Sequence, residues 1–153
     1  MGENSYTHIL IYSFTHILIY QKMKLEDDNH CFACGRENHC GLKLSFTYSN
    51  GKITTEFIPS MIYQGYKDIA HGGIIATVLD EAMIQAAIAE GIMPVTAEIN
   101  VRFKRPLMVN EKAVAEAEII RKGPRLIEAQ SRLLKTSDGT IIAEAYAKLI
   151  PSK

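Results

Sequence analysis

The sequence predicts an α+β fold in which one long apolar helix lies against an antiparallel β-sheet. Three observations carry this. Residues 72–90 form an apolar stretch opened by Gly72 and Gly73 and stopped by Gly91 and Pro94, the signals of a helix start and end. Four strand-like runs follow, at 95–104, 113–121, 125–136 and 140–149, and two precede it, at 42–48 and 53–58. Strands set around a single helix must bury one face against it, which is a two-layer arrangement.

Residues 1–22 read as an extension. Residues 6–13 (YTHILIYS) and 14–21 (FTHILIYQ) are a near-perfect tandem repeat, and two copies are too few for a stacked solenoid. The repeat is β-branched and aromatic, and lies outside the motif-bearing domain assigned to residues 23–153. In that domain, residues 42–48 alternate apolar and polar positions, as a half-buried strand does. Asn50-Gly51 is a hairpin turn signal leading into the second strand, which Pro59 closes. A loop with Tyr63, Gln64, Gly65 and Tyr66 joins it to the helix. On the helix, Ile75, Val78, Leu79, Ala82, Met83 and Ala86 form a broad stripe that should face the sheet. Gly73, Ala76, Thr77, Asp80 and Ala87 lie elsewhere and are mostly small. Gly123-Pro124 and Ser137-Asp138-Gly139 mark the turns between the later strands.

Composition narrows the function classes. The 153 residues suffice for one core. Seventeen basic residues balance seventeen acidic ones, which argues against a nucleic-acid partner. No uninterrupted apolar run reaches the length of a membrane span, and the N-terminus has Glu3 and no basic run, unlike a signal peptide. The three cysteines are odd in number and clustered at 31, 34 and 40, which fits a reducing cytoplasm better than a disulfide framework. With His30 and His39 they crowd too closely for the two separated ligand pairs of a structural zinc site. They read as a loop with buried thiols, and no metal is expected.

Chemistry concentrates at 71–83. A glycine-rich helix start leaves backbone N–H groups able to polarise a carbonyl, and Asp80 two turns on is an acid on an apolar helix. Gly72 and Asp80 are eight residues apart, about 12 Å along one helix, too far to act on one carbonyl. If both serve one reaction, they come from two subunits related by a two-fold axis. Glu81 points about 100° around the helix from Asp80 and is expected to form a structural ion pair.

These residues resemble the hotdog-fold acyl-CoA thioesterases of the PaaI-like branch. The resemblance spans roughly 31–150 and rests on Cys31-Phe32-Ala33-Cys34-Gly35, Asn38, Gly41-Leu42, Gly65-Tyr66, His71-Gly72-Gly73, Leu79-Asp80-Glu81-Ala82, Asn100 and Arg105-Pro106-Leu107. It implies a sheet wrapped around the helix, a homodimer with sites at the subunit interface or a tetramer, and acyl-CoA as substrate with no cofactor besides. It implies a catalytic set of Asp80 as general base or nucleophile, the Gly72 N–H on the thioester carbonyl, Thr96 orienting water, His71 in the glycine motif, and Gln64 near the carbonyl. Lys67-Asp68 departs from the neutral, tightly turned residues of many relatives. Phosphates of coenzyme A need cations, and Arg102, Lys104 and Arg105 form one candidate set, Arg121, Lys122 and Arg125 another, although a solvated strand edge or turn is the default reading of each. Two other functions share the fold. A non-catalytic acyl-CoA sensor would carry a DNA-binding domain, for which the segment before the core shows no helix-turn-helix pattern. A dehydratase or hydratase would need a histidine working with a carboxylate, and His71 fits the thioesterase motif better.

Overall fold

In the computed structural model, residues 24–152 are described; the tandem repeat lies outside them. Helix α1 (Gly72–Ala89) is the axis on which the strands are arranged. Strands β1 (Thr47–Ser49), β2 (Lys52–Phe57), β3 (Pro94–Phe103), β4 (Ala113–Lys122), β5 (Ile127–Lys135) and β6 (Ile141–Pro151) form one antiparallel sheet in the order β1-β2-β4-β5-β6-β3. The chain leaves β2, runs through α1 to the far edge as β3, and returns beside β2 as β4. The meander β4-β5-β6 then closes back onto β3. Helix α1 touches β2, β3, β4, β5 and β6, so the sheet curves around it as the hotdog fold requires.

The expected stripe of Ile75, Val78, Leu79, Ala82, Met83 and Ala86 is buried, and Ala87 is buried with it. It meets the inward residues of alternating strands, among them Ala115, Ile127, Leu133, Ala143 and Leu149. Many of these are alanines, which lets the helix approach the sheet closely. The Ser131 hydroxyl, buried in β5, donates to the Leu79 carbonyl at 3.0 Å and adds one polar tie in this apolar layer. Helix α1 is long and apolar enough to cross a bilayer, with mean hydropathy 1.4. Its apolar stripe is covered by the sheet.

Local chemistry sets the turns. Asn50 and Gly51 adopt φ of 52° and 78° between Ser49 and Lys52, the left-handed pair that a two-residue hairpin needs. At the second hairpin, Gly139 has φ 72° and Asp138 Oδ1 accepts from the Thr140 N–H at 2.9 Å. A bulge between Thr96 and Glu98 interrupts the pairing of β3 with β6.

One expected element is different. The run 42–48 pairs as a strand only at Thr47–Ser49. Lys43 has a positive φ of 57°, which breaks the extended chain. Leu42 and Leu44 instead donate their N–H groups to the Phe32 and Ala33 carbonyls, at 2.8 and 2.9 Å. The apolar alternation is real, and Leu44 is buried, but it packs a loop rather than a sheet edge.

Candidate active site

Asp80 lies midway along α1, half-buried, with β3 alongside. The Thr96 hydroxyl, near the start of β3, donates to Asp80 Oδ1 at 2.7 Å. Burial pushes the Asp80 carboxyl above the ordinary aspartate range; the Thr96 hydrogen bond pulls it back, and the neighbouring Glu81 charge adds to the rise. A carboxylate in that state accepts a proton more readily than one in water. Sequence spacing set these two residues sixteen positions apart, and the crossing of α1 and β3 brings them together.

The helix start forms a second centre. His71 caps α1, its Nδ1 accepting from the Gly73 N–H at 2.9 Å. The His71 carbonyl accepts from Ile74 and Ile75 at 3.0 and 3.2 Å. The Gly72 N–H has no acceptor among the described residues, so of these first-turn donors it is the one available to a ligand. A Cβ at Gly72 would lie 3.4 Å from the Phe103 ring, so Phe103 walls the approach to this N–H. Gln64 is exposed and its Oε1 accepts from the Asp68 N–H at 2.7 Å, holding the loop in which Asp68 takes φ 62°. Gln64 and His71 thus spend polar atoms on shaping the helix start, while Asp80 stands two turns away.

Glu81 does not form the ion pair expected of it. No lysine or arginine among the described residues approaches its carboxylate. Gln85 Nε2 donates to Oε1 at 2.9 Å, and Cys31 Sγ lies 3.8 Å from Oε2. Cys34 completes the group: the Sγ atoms of Cys31 and Cys34 and a Glu81 oxygen all lie within 4.8 Å of one another. Burial, reinforced by the Glu81 carboxylate and by Cys31, pushes the Cys34 thiol far up. Cys31 and Cys34 are half-buried, whereas Cys40 is exposed, contrary to a fully buried set. The CxxC motif was visible in sequence, but nothing there tied it to a helix residue fifty positions on.

The basic residues divide. Lys104 pairs with Glu144 at 2.5 Å, Lys122 with Glu90 at 3.0 Å, and Arg121 with Glu128. Arg102, Arg105 and Arg125 face no carboxylate within ion-pair distance among the described residues, although Arg105 donates to the Lys104 carbonyl at 3.2 Å. A groove of about 470 Å³ lies on the outer face of the sheet, with Arg102, Arg132 and Lys52 interleaved with Glu116, Glu118 and Glu144. Asp80 does not line it, and most of its charges already pair with each other.

Comparison with known proteins agrees with this fold. The thioesterase superfamily model matches residues 68–142, from the helix start into β6. Rat acyl-coenzyme A thioesterase THEM4 is 27% identical over 127 residues, covering 80% of this chain and 55% of the relative. The chain spans about half the length of the curated relatives it matches, 55% and 40%. Among solved structures, zebrafish thioesterase superfamily member 2 superposes with a TM-score of 0.68 at 19% identity, covering 77% of this chain and 88% of that one. A hypothetical thioesterase protein with coenzyme A from Streptococcus pneumoniae TIGR4 gives 0.66 at 15% identity, covering 71% and 87%. Two further structures of the S. pneumoniae protein carry an Asp-to-Ala and a Thr-to-Ala replacement, at positions sixteen apart. The family match over residues 68–142, the curated relatives and the shared architecture together give this chain the hotdog fold and a likeness to the thioesterase superfamily.

Proposed function

We propose that this protein hydrolyses acyl-coenzyme A thioesters, with Asp80 as the group that activates water or attacks the carbonyl. The observation that carries the reading is the Thr96–Asp80 hydrogen bond of 2.7 Å on a carboxyl held above its ordinary range by burial. The sixteen-residue separation of the aspartate and threonine replaced in the S. pneumoniae protein is also that of Asp80 and Thr96, which supports the same pairing. Coenzyme A in that neighbour supports the substrate class.

The chemistry follows from the two centres. The Gly72 N–H, at the positive end of α1, stabilises negative charge developing on the thioester oxygen. Asp80 takes a proton from water as it attacks and returns it to the coenzyme A sulfur that leaves when the carbon–sulfur bond breaks; alternatively it attacks directly, expels coenzyme A as the thiol and forms an acyl anhydride that water hydrolyses in a second step. Thr96 fixes the carboxylate so that Oδ2 is left to face the reacting atoms. Because Gly72 and Asp80 are separated by about 12 Å along α1, one site joins Gly72 of one protomer to Asp80 of its partner. Strand β3 supports this assembly. It is a ten-residue sheet edge with Ile99 and Phe103 exposed, a surface suited to pairing with a second copy. Arg102, Arg105 and Arg125, without carboxylate partners, are the cations proposed for the phosphates.

The test is thiol release from acyl-CoAs of short, medium, long and aromatic chain by wild-type protein and Asp80→Asn. Turnover by the wild type with loss in the variant supports the assignment. Binding of acyl-CoA without turnover by either would identify a non-catalytic acyl-CoA binder. The hydratase reading is disfavoured by His71, whose Nδ1 is committed to the Gly73 N–H.

A further inference from the structure

We propose that Cys31, Cys34 and Glu81 form a binding site for a thiophilic divalent cation, zinc by preference, which fastens the 29–44 loop to the middle of α1. This stands apart from the proposed hydrolysis and uses none of the residues assigned to its catalysis.

The donor geometry is the first argument. Tetrahedral zinc with sulfur ligands at about 2.3 Å needs neighbouring donors roughly 3.5–4 Å apart. Cys31 Sγ lies 3.8 Å from Glu81 Oε2, and both sulfurs and a Glu81 oxygen fit within 4.8 Å. Three protein donors leave a fourth position for water, or for Gln85, whose amide nitrogen is 3.8 Å from Cys34 Sγ. Turning that amide end for end would aim its oxygen at the same point.

The charge pattern is the second. Glu56, Glu90, Glu98, Glu111, Glu116, Glu118, Glu128 and Glu144 each have a lysine or arginine partner, all of them away from this cluster. Glu81 is half-buried and has none, only two thiols and an amide. A carboxylate withdrawn from water without a cation is costly, and a bound cation offsets that cost. Two sulfurs select a soft metal over magnesium or calcium.

The third is the backbone that presents the thiols. Gly35 follows the second cysteine, and its N–H donates to the Cys31 carbonyl at 2.9 Å. A Cβ there would fall 2.7 Å from the Cys31 carbonyl oxygen, so the turn is tight enough to admit only glycine. That turn sets both sulfurs toward α1. The spacing of the cysteines, thirty-first to fortieth, lacks a second ligand pair; the fold supplies the third donor from the helix.

The test uses full-length protein, reduced, freed of metal and held under nitrogen, titrated with cobalt(II). The expected result is one cobalt per chain with a thiolate-to-cobalt charge-transfer band, displaced by zinc, and a Tm raised by zinc. Cys31→Ser and Cys34→Ser should each lose that band, while Cys40→Ser should keep it. Glu81→Gln retains both thiols and the side-chain shape, and should weaken binding by at least about tenfold. This last variant keeps the test decisive if a cysteine variant fails to fold. Cobalt uptake without the band, a band that survives in Cys31→Ser and Cys34→Ser, or full affinity in folded Glu81→Gln would each overturn the proposal. So would reduced protein that ignores cobalt and only closes a Cys31–Cys34 disulfide in air.

Discussion

The Thr96 hydroxyl stands 2.7 Å from Asp80 Oδ1 and joins the edge strand β3 to the centre of α1. It is a polar contact beside the apolar stripe of α1, and it fixes the orientation of the carboxylate. From it follow the expectations for the acid itself.

Asp80→Asn should lower kcat by at least about a hundredfold, the lower range for loss of a general base. Glu81→Gln, whose carboxylate faces the cysteines, should cost far less turnover. The same Asp80→Asn protein should be at least as stable as wild type at neutral pH. A carboxyl whose folded pKa lies above its unfolded value holds its proton longer in the fold, so stability falls as pH rises from the unfolded to the folded value. Removing the charge removes that loss. Thiol-release kinetics and chemical denaturation at two pH values check both halves, and wild-type turnover in Asp80→Asn would sink the assignment.

Thr96→Val should move the acid limb of the kcat/KM profile further up in pH. Burial already sets that limb above the ordinary aspartate value of about 3.9. The Thr96 hydrogen bond favours the charged form, so its loss raises the pKa again. Thr96→Ser keeps the donor and should restore the profile. A profile unchanged in Thr96→Val would mean that the titrating group is not Asp80.

Much of this arrangement was legible in sequence, and the failures have identifiable causes. The start and end of α1 were legible because Gly72-Gly73 and Gly91/Pro94 act locally, within a turn of the boundary. The hairpins at Asn50-Gly51 and Asp138-Gly139 were legible for the same reason. The run at 42–48 misled because its alternation reports burial, not pairing, and a left-handed Lys43 sends the backbone bonds to residues 32 and 33. The Glu81 partner was missed because pair rules on a helix look three or four residues away, while two of its neighbours come from a loop fifty residues upstream. Gln64 and His71 were named from the resemblance alone, and the structure adds that one polar atom of each also holds a local turn.

Composite sites make a sharp expectation. Gly72→Pro removes the N–H proposed for the carbonyl, and Asp80→Asn removes the base. A heterodimer with one of each should carry both lesions in one site and leave the other intact. About half of wild-type activity should then return from two nearly inactive parents, by counting sites under two-fold symmetry. Differently tagged chains, purified in tandem and shown to be folded by circular dichroism, give the measurement. A folded heterodimer as inactive as its parents would place both residues' partners within one chain.

Gly35→Ala should destabilise the protein by about 1–3 kcal/mol, the usual range for overpacking, because the added methyl meets backbone atoms of Asn29 and Cys31 that have no room to move. Gly51→Ala meets no atom within 4 Å, so its cost comes only from the positive φ of 78°. Thermal denaturation of the pair separates the two causes. Equal losses would show that the loop yields easily.

The bulge between Thr96 and Glu98 decides what one strand can carry. Before it, Thr96 is opposite Leu149 and reaches the helix; after it, Ile99 and Val101 are opposite Ala147 and Ala145, while Glu98, Asn100 and Arg102 are opposite Lys148, Tyr146 and Glu144. Strict alternation would have put Thr96, Glu98, Asn100 and Arg102 on a single face. One inserted residue changes the parity, so a hydroxyl for the acid and a charged exterior coexist on neighbouring even positions. Deleting Ala97 should therefore do more harm than any single replacement in β3: the strand must either withdraw Thr96 from Asp80 or drive Glu98 and Arg102 into the alanine-lined interior. The length of this strand, residue for residue, is under a stricter constraint than its composition.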